Sequence, residues 1–126
     1  MDAHGELFQA LADPTRLRLL NLLSQTGPVC VCEFVDALQL PQYAVSRHLR
    51  VLAAAGLLDS ERRGKWVYYG IARKLKPYHR ALLRAVAELH DERQDFAADE
   101  RRAARRLKLR RNGWCCIGLD QHREAG

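Results

Sequence analysis

Two groups of side chains in this sequence have the types and spacing to do chemistry. The first is a set of thiols: four cysteines fall in two close pairs, Cys30-Val31-Cys32 and Cys115-Cys116. Thiolates are soft donors, and soft donors select soft ions. In a reducing compartment, clustered cysteines are more commonly metal ligands or redox thiols than structural disulfides. No Cys-x-x-Cys spacing occurs, which argues against a zinc ribbon and a thioredoxin-type centre. The second group suits nucleic acid. On a helix over residues 41–55, Gln42, Tyr43, Ser46, Arg47 and Arg50 fall within an arc of about 140°. Val45, Leu49 and Leu52 lie opposite them. Arginine reads guanine bidentately, glutamine reads adenine, and serine or tyrosine reaches bases or phosphates. His48 stands at the edge of the apolar side and is kept as a candidate, although a histidine there commonly serves as a hydrogen-bonded core residue. Arg62, Arg63 and Lys65 follow on a short β segment and can grip the flanking backbone or minor groove.

The elements that must carry these groups follow from apolar spacing. Leu7, Phe8 and Leu11 predict a first helix. Asp13-Pro14 reads as a cap followed by proline at the first helical position, opening a second helix that holds Leu17, Leu19, Leu20, Leu22 and Leu23 and ends at Gly27-Pro28. A third, short helix fits residues 31–38, with Phe34, Val35 and Leu38 apolar. Pro41 opens a fourth, stopped by Gly56, so helices three and four form a helix-turn-helix candidate. Residues 57–69 read as a hairpin with its tip at Arg63-Gly64-Lys65. A long helix is predicted over residues 77–96, with Leu82, Leu83, Val86 and Leu89 as its stripe. Past Ala97 the periodicity fades, and the chain from Gln121 onward is expected to be disordered. The fold class is therefore mainly α with a small β-hairpin wing, in the order α-α-α-α-β-β-α. Residues 1–96 are expected to form the DNA-binding and dimerisation domain, and residues 97–126 a basic, cysteine-containing tail.

Composition bounds the function. The 126 residues suffice for one domain, and the net charge is +6. Residues 101–111 hold seven positive charges and no acid, so the remainder nets −1 and the basicity belongs mostly to the C-terminal segment. No stretch reaches the roughly 18–20 apolar residues of a membrane helix, and the first residues lack a signal-peptide pattern. A cytoplasmic protein without membrane partners is expected. Nothing supports an enzyme: no phosphate-binding glycine loop and no cysteine in a basic cradle within an α/β pattern is present.

Leu11-Ala12-Asp13-Pro14-Thr15-Arg16-Leu17, the run from Leu40 to Leu49, Ala55-Gly56-Leu57, Arg62-Arg63-Gly64-Lys65 and Trp66-Val67-Tyr68-Tyr69 together resemble the ArsR/SmtB family of metalloregulatory repressors. The resemblance covers residues 4 to about 96. It implies a winged helix-turn-helix homodimer, paired through its first and last helices, that binds double-stranded operator DNA at an inverted repeat and represses metal-resistance genes. One departure is Leu40, where relatives often place a capping serine; Pro41 must then set the start of the recognition helix alone.

The same resemblance implies an inducer site at the start of the third helix, in the pattern Cys-Val-Cys-x-x-Cys. Here Cys30 and Cys32 match and Val35 replaces the third cysteine. Arsenite prefers three thiolates in a pyramid, so Cys115 or Cys116, from the same or the partner subunit, is the expected replacement. As(III), and with it Sb(III), is the expected inducer; no catalytic cofactor is. On an intact helix, residues two apart point about 200° apart, so Cys30 and Cys32 are expected to share an ion only if the helix starts after Cys32 or its first turn unwinds. A second family site uses Asp and His on the last helix for zinc. His79 and His90 resemble two of its ligands, but Pro77 and Arg93 stand where companions would be, and no zinc is expected there. Two alternatives keep the fold and change the signal: cadmium or lead held by all four thiols, or thiol oxidation.

Overall fold

The structure, a computed structural model, describes residues 2–90 and 95–118. Helix α1 (Ala3–Leu11) is capped by Asp2, whose side chain accepts from Gly5 N. Helix α2 (Pro14–Leu23) starts as its sequence requires: Asp13 Oδ1 accepts from Thr15 N at 2.8 Å and Arg16 N at 3.0 Å, and Pro14 gives up no hydrogen bond at the first position. The α2 leucines Leu19, Leu20, Leu22 and Leu23 are all buried, placing this helix at the centre of the core.

A two-residue strand β1 (Val29–Cys30) leads directly into α3 (Val31–Leu38). The left-handed Gln39 (φ 59°) ends α3 and turns the chain into α4 (Gln42–Ala54). Pro41 alone opens α4, with no side-chain cap, as Leu40 requires. Phe34 and Leu38 of α3 and Val45, Leu49 and Leu52 of α4 join the same core. Strands β2 (Leu58–Arg63) and β3 (Trp66–Ile71) form the wing hairpin, closed by Gly64 at φ +62°, where a side chain would be strained. β1 pairs antiparallel with β3, giving the order β1-β3-β2.

Helix α5 (Pro77–Ala87) is shorter than the span predicted at residues 77–96. Leu89 is exposed and residues 91–94 are all polar, so no apolar contact favours carrying the helix through them. Asn21 Nδ2 donates to Val86 O at 3.0 Å and ties α5 to α2. A further helix, α6 (Asp95–Leu107), crosses the boundary expected after residue 96 and packs on α2 and α3. Its buried residues include charged ones, Asp99 and Arg106, which is why apolar periodicity gave no sign of it. Arg18 donates to both Asp99 carboxylate oxygens, at 2.9 and 2.7 Å, and Arg102 Nη2 adds a third bond at 2.9 Å. Among the described residues, no helix is long and apolar enough to cross a membrane. The expected disorder from Gln121 onward lies outside the described residues.

Candidate thiol centre and nucleic-acid interface

The thiol centre forms where β1 becomes α3. Cys30 is the N-cap residue of α3, extended at φ −74° and ψ 148°, and donates its N–H to Glu33 Oε1 at 2.9 Å. Cys32 lies one residue inside the helix. The 200° divergence applies only between two helical residues. Because Cys30 is extended, the two thiols converge without unwinding α3, and their sulfurs are 3.4 Å apart. This corrects the expectation that an intact helix would keep them from one ion.

Cys115 reaches the same point from the C-terminal segment. After α6 the chain makes a tight turn through Asn112 (φ 53°) and Gly113 (φ 80°), bridged between Arg111 and Trp114. Cys115 N then donates to Tyr68 Oη at 2.8 Å, and the Cys115 sulfur sits 3.3 Å from that of Cys32. Cys30, Cys32 and Cys115 thus lie within 4.8 Å of one another, all from one chain. Cys116 diverges from its neighbour and turns its thiol to Leu109 O at 3.3 Å, outside the cluster.

Two salt links hold this segment against α3. Arg110 grips the buried Glu33 carboxylate through both oxygens, at 2.8 and 2.7 Å, and reaches Pro28 O. Arg106, 2% exposed, donates Nε to Asp36 at 2.5 Å, and its Nη2 faces Cys32 Sγ at 3.6 Å and Ile117 O. Hydrogen bonding to Cys30 and Cys32 pushes the Cys115 thiol far down, and Arg106 assists. Its bond to Cys115 pushes Cys30 up to about 11, and the same partner pushes Cys32 higher still. The directions of these shifts favour Cys115 as the thiolate of the three.

None of Glu33, Asp36, Tyr68, Asp99, Arg106, Arg110 or Trp114 was singled out by sequence. The available signal was spacing: Arg102, Arg106 and Arg110 recur every four residues, and Glu33 and Asp36 are three apart. Arg102 and Arg106 share one face of α6, as Glu33 and Asp36 do on α3, and Arg110 follows in the turn after α6.

The nucleic-acid candidates face away from the apolar side of α4. Gln42, Tyr43, Arg47 and Arg50 are exposed along α4, with Ser46 half-buried; Arg62, Arg63 and Lys65 are exposed at the wing. His48 instead turns toward α2. Its Nδ1 lies 3.2 Å from Arg16 Nη1, and burial lowers its pKa, so it accepts from the arginine as a neutral ring. His79, on α5, accepts Lys76 N at its Nδ1 at 3.1 Å, while Arg93 lies outside the described residues. Two features join thiols and reading face. A cleft of about 520 Å³ has Cys30 and Cys32 on one wall, Gln42, Ser46 and Arg50 on another, and Lys65 and Trp66 on a third. The Arg63 guanidinium also lies 3.4 Å over the Trp114 ring, next to Cys115 in sequence.

Residues 13–60 match the model of the bacterial regulatory protein, arsR family. An arsenic resistance transcriptional regulator of Pseudomonas putida is 41% identical over 86 residues, 68% of this chain and 67% of its own length. The crystal structure of an antimony-specific transcriptional repressor superposes with a TM-score of 0.53 at 35% identity, over 63% of this chain and 68% of that one. The homodimeric winged helix-turn-helix domain of a possible ArsR-family regulator from Mycobacterium bovis gives 0.59 at 30% identity, over 73% and 84%.

Proposed function

The chain belongs to the ArsR family of bacterial regulatory proteins, and from that premise we propose that it is a dimeric transcriptional repressor that leaves its operator when As(III), or Sb(III), binds Cys30, Cys32 and Cys115. The observation that carries this reading is the convergence of three thiols, and not four, beside the DNA-reading face. A centre bonded to three sulfurs at about 2.3 Å, the usual thiolate distance for a borderline-soft ion, with pyramidal angles near 95°, separates those sulfurs by about 3.4 Å. Cys32 already stands 3.4 and 3.3 Å from its two neighbours. A four-thiolate cadmium or lead site would need Cys116, whose thiol is engaged elsewhere.

The chemistry is a ligand exchange. Neutral As(OH)₃ gives up three hydroxyl groups as water and gains three sulfur bonds; the two thiols supply two protons and solvent supplies the third. No electron moves. Binding replaces the hydrogen bonds among these sulfurs by covalent As–S bonds and so locks Cys115 to the first turn of α3. α3 packs against α4, and Trp114 bears on Arg63 of the wing, so locking the sulfurs restrains both DNA-contacting elements in the ion-bound arrangement. Release needs only that the ion bind the DNA-free arrangement better, by about 1.4 kcal/mol for each tenfold loss of operator affinity.

Operator reading is assigned to Gln42, Tyr43, Ser46, Arg47 and Arg50 with Arg62, Arg63 and Lys65. Dimerisation is assigned to α1 and α5, where Phe8 and Tyr78 are exposed. In domain terms, residues 1–96 bind DNA and pair, and the segment after them supplies the third ligand. The test is release of a labelled operator by arsenite, antimonite, cadmium, lead and zinc in parallel. Arsenite and antimonite should act at the lowest concentrations. Release led by cadmium or lead would replace the inducer, and release only by an oxidant would turn the centre into a disulfide switch.

A further inference from the structure

Helix α6 divides its basic residues between two faces. Arg102 and Arg106 point inward, to Asp99 and Ala37 O and to Asp36, and Arg110 after the helix holds Glu33. Those three guanidinium groups are committed to the fold. Arg101 and Arg105 lie about 40° apart on the helical wheel, and Lys108, in the turn just after Leu107, continues the same face; all three are exposed. Ala97 and Ala104, also exposed, keep the surface beside them shallow. Arg105 lines a cleft of about 830 Å³ whose other wall is Gln39, Pro41 and Gln42, the amino end of the recognition helix. Where a recognition helix enters the major groove amino end first, the phosphates of the groove edge pass alongside that end.

We infer that Arg101, Arg105 and Lys108 of α6 form a second phosphate-binding surface, which grips the operator backbone beside the recognition helix and lengthens the protein's footprint on DNA. The inference rests on the DNA-binding reading above but concerns residues that reading does not use. The surface carries three positive charges and no apolar anchor, with Glu100 at its edge and Asp36 of the cleft paired to Arg106, so its partner is a polyanion and its contribution is independent of base sequence. Because Arg106 and Arg110 bind α6 and its following turn to α3 at the thiol centre, this grip moves with the sensor.

The test uses a duplex selected by the full-length protein from a random pool, with affinity measured by fluorescence anisotropy across a series of KCl concentrations. Combined Arg101→Ala, Arg105→Ala and Lys108→Ala substitution should make the plot of log affinity against log salt shallower by about 0.9 for each phosphate no longer neutralised, hence by about 3 or more. Hydroxyl-radical protection should retreat at the outer edge of each half-site, while base preference stays unchanged. Arg105→Glu alone should give a smaller change in the same direction. An unaltered melting temperature and unaltered arsenite binding in the absence of DNA establish that the variant is folded. If slope and footprint stay those of the unsubstituted protein while Arg47→Ala weakens binding, α6 does not touch DNA and the inference falls alone. If the unsubstituted protein selects no duplex, the DNA-binding reading falls with it.

Discussion

Helix α4 with its wing, and the α3–α6 region around the thiols, are both rich in charge, yet they use it in opposite ways. On α4 and the wing the cations Arg47, Arg50, Arg62 and Lys65 stand exposed, held in place by an apolar face that is fully buried. Between α2, α3 and α6, charges are the packing: Asp99, Glu33 and Arg106 are at most 2% exposed, and each has an opposite charge within hydrogen-bond distance. An exposed charge costs the fold almost nothing and remains available to a partner. A buried pair fixes geometry, and losing one member leaves the other desolvated.

Breaking the second kind of charge should have the largest effect. Asp99→Ala removes the carboxylate that Arg18 and Arg102 share, although each still donates to a backbone carbonyl, Leu38 O and Ala37 O; it should lower the unfolding free energy by about 3–5 kcal/mol, read from urea denaturation. A loss below about 1 kcal/mol would mean that α6 does not belong to the folded core. Arg47→Ala or Arg50→Ala should weaken operator binding by about 1–3 kcal/mol yet leave the unfolding free energy within about 0.5 kcal/mol of the parent. If instead stability fell and affinity held, the contrast between the two regions would be reversed.

Proton balance sharpens the sensor side. With one thiolate on Cys115 and thiols on Cys30 and Cys32, forming a neutral arsenic tris-thiolate from As(OH)₃ takes up one proton. Arsenite affinity should therefore fall about tenfold per unit rise in pH, a change of about 1.4 kcal/mol. The window runs upward from the depressed value of Cys115 to the pH at which free As(OH)₃ itself ionises, below the value of about 11 for Cys30; past that point a second proton is taken up and the fall steepens. A dication displacing the two thiol protons shows the opposite sign. Calorimetry in buffers of different ionisation enthalpy counts the protons, and net release on arsenite binding would contradict the Cys115 thiolate. The smallest effect belongs to the link between regions. Trp114→Ala removes a partly exposed cation–π interaction with Arg63, worth about 0.5–1 kcal/mol. It should change arsenite-free operator affinity by only a few-fold; a change above tenfold would make Trp114 a principal wing support.

The same contrast explains what was legible in the sequence. The winged helix-turn-helix could be read because its helices obey apolar periodicity and its caps and turns use Asp13, Pro14, Pro41, Gly56 and Gly64 in ordinary ways. The start of α5 at Pro77 was legible too, but its end was not; nor was the existence of α6, because Asp99 and Arg106 sit where a periodicity argument expects apolar residues. Seven cations in eleven positions looked like a solvated tail, yet three of them at four-residue spacing are internal partners of Glu33, Asp36 and Asp99. Cys30 and Cys32 were legible as a pair. Their convergence was not, since it depends on the short β1 pairing with Tyr68 and Tyr69, which leaves Cys30 extended.

The most direct measurement of the central claim compares Cys115→Ser with Cys116→Ser, two neighbours of identical chemistry, by arsenite-driven operator release and by arsenic X-ray absorption under reducing conditions. Cys116→Ser should release like the parent and show three sulfurs around arsenic. Cys115→Ser should bind DNA normally, need on the order of 100-fold more arsenite (about 2.7 kcal/mol) and show two sulfurs. Full response and three sulfurs in Cys115→Ser would contradict the site.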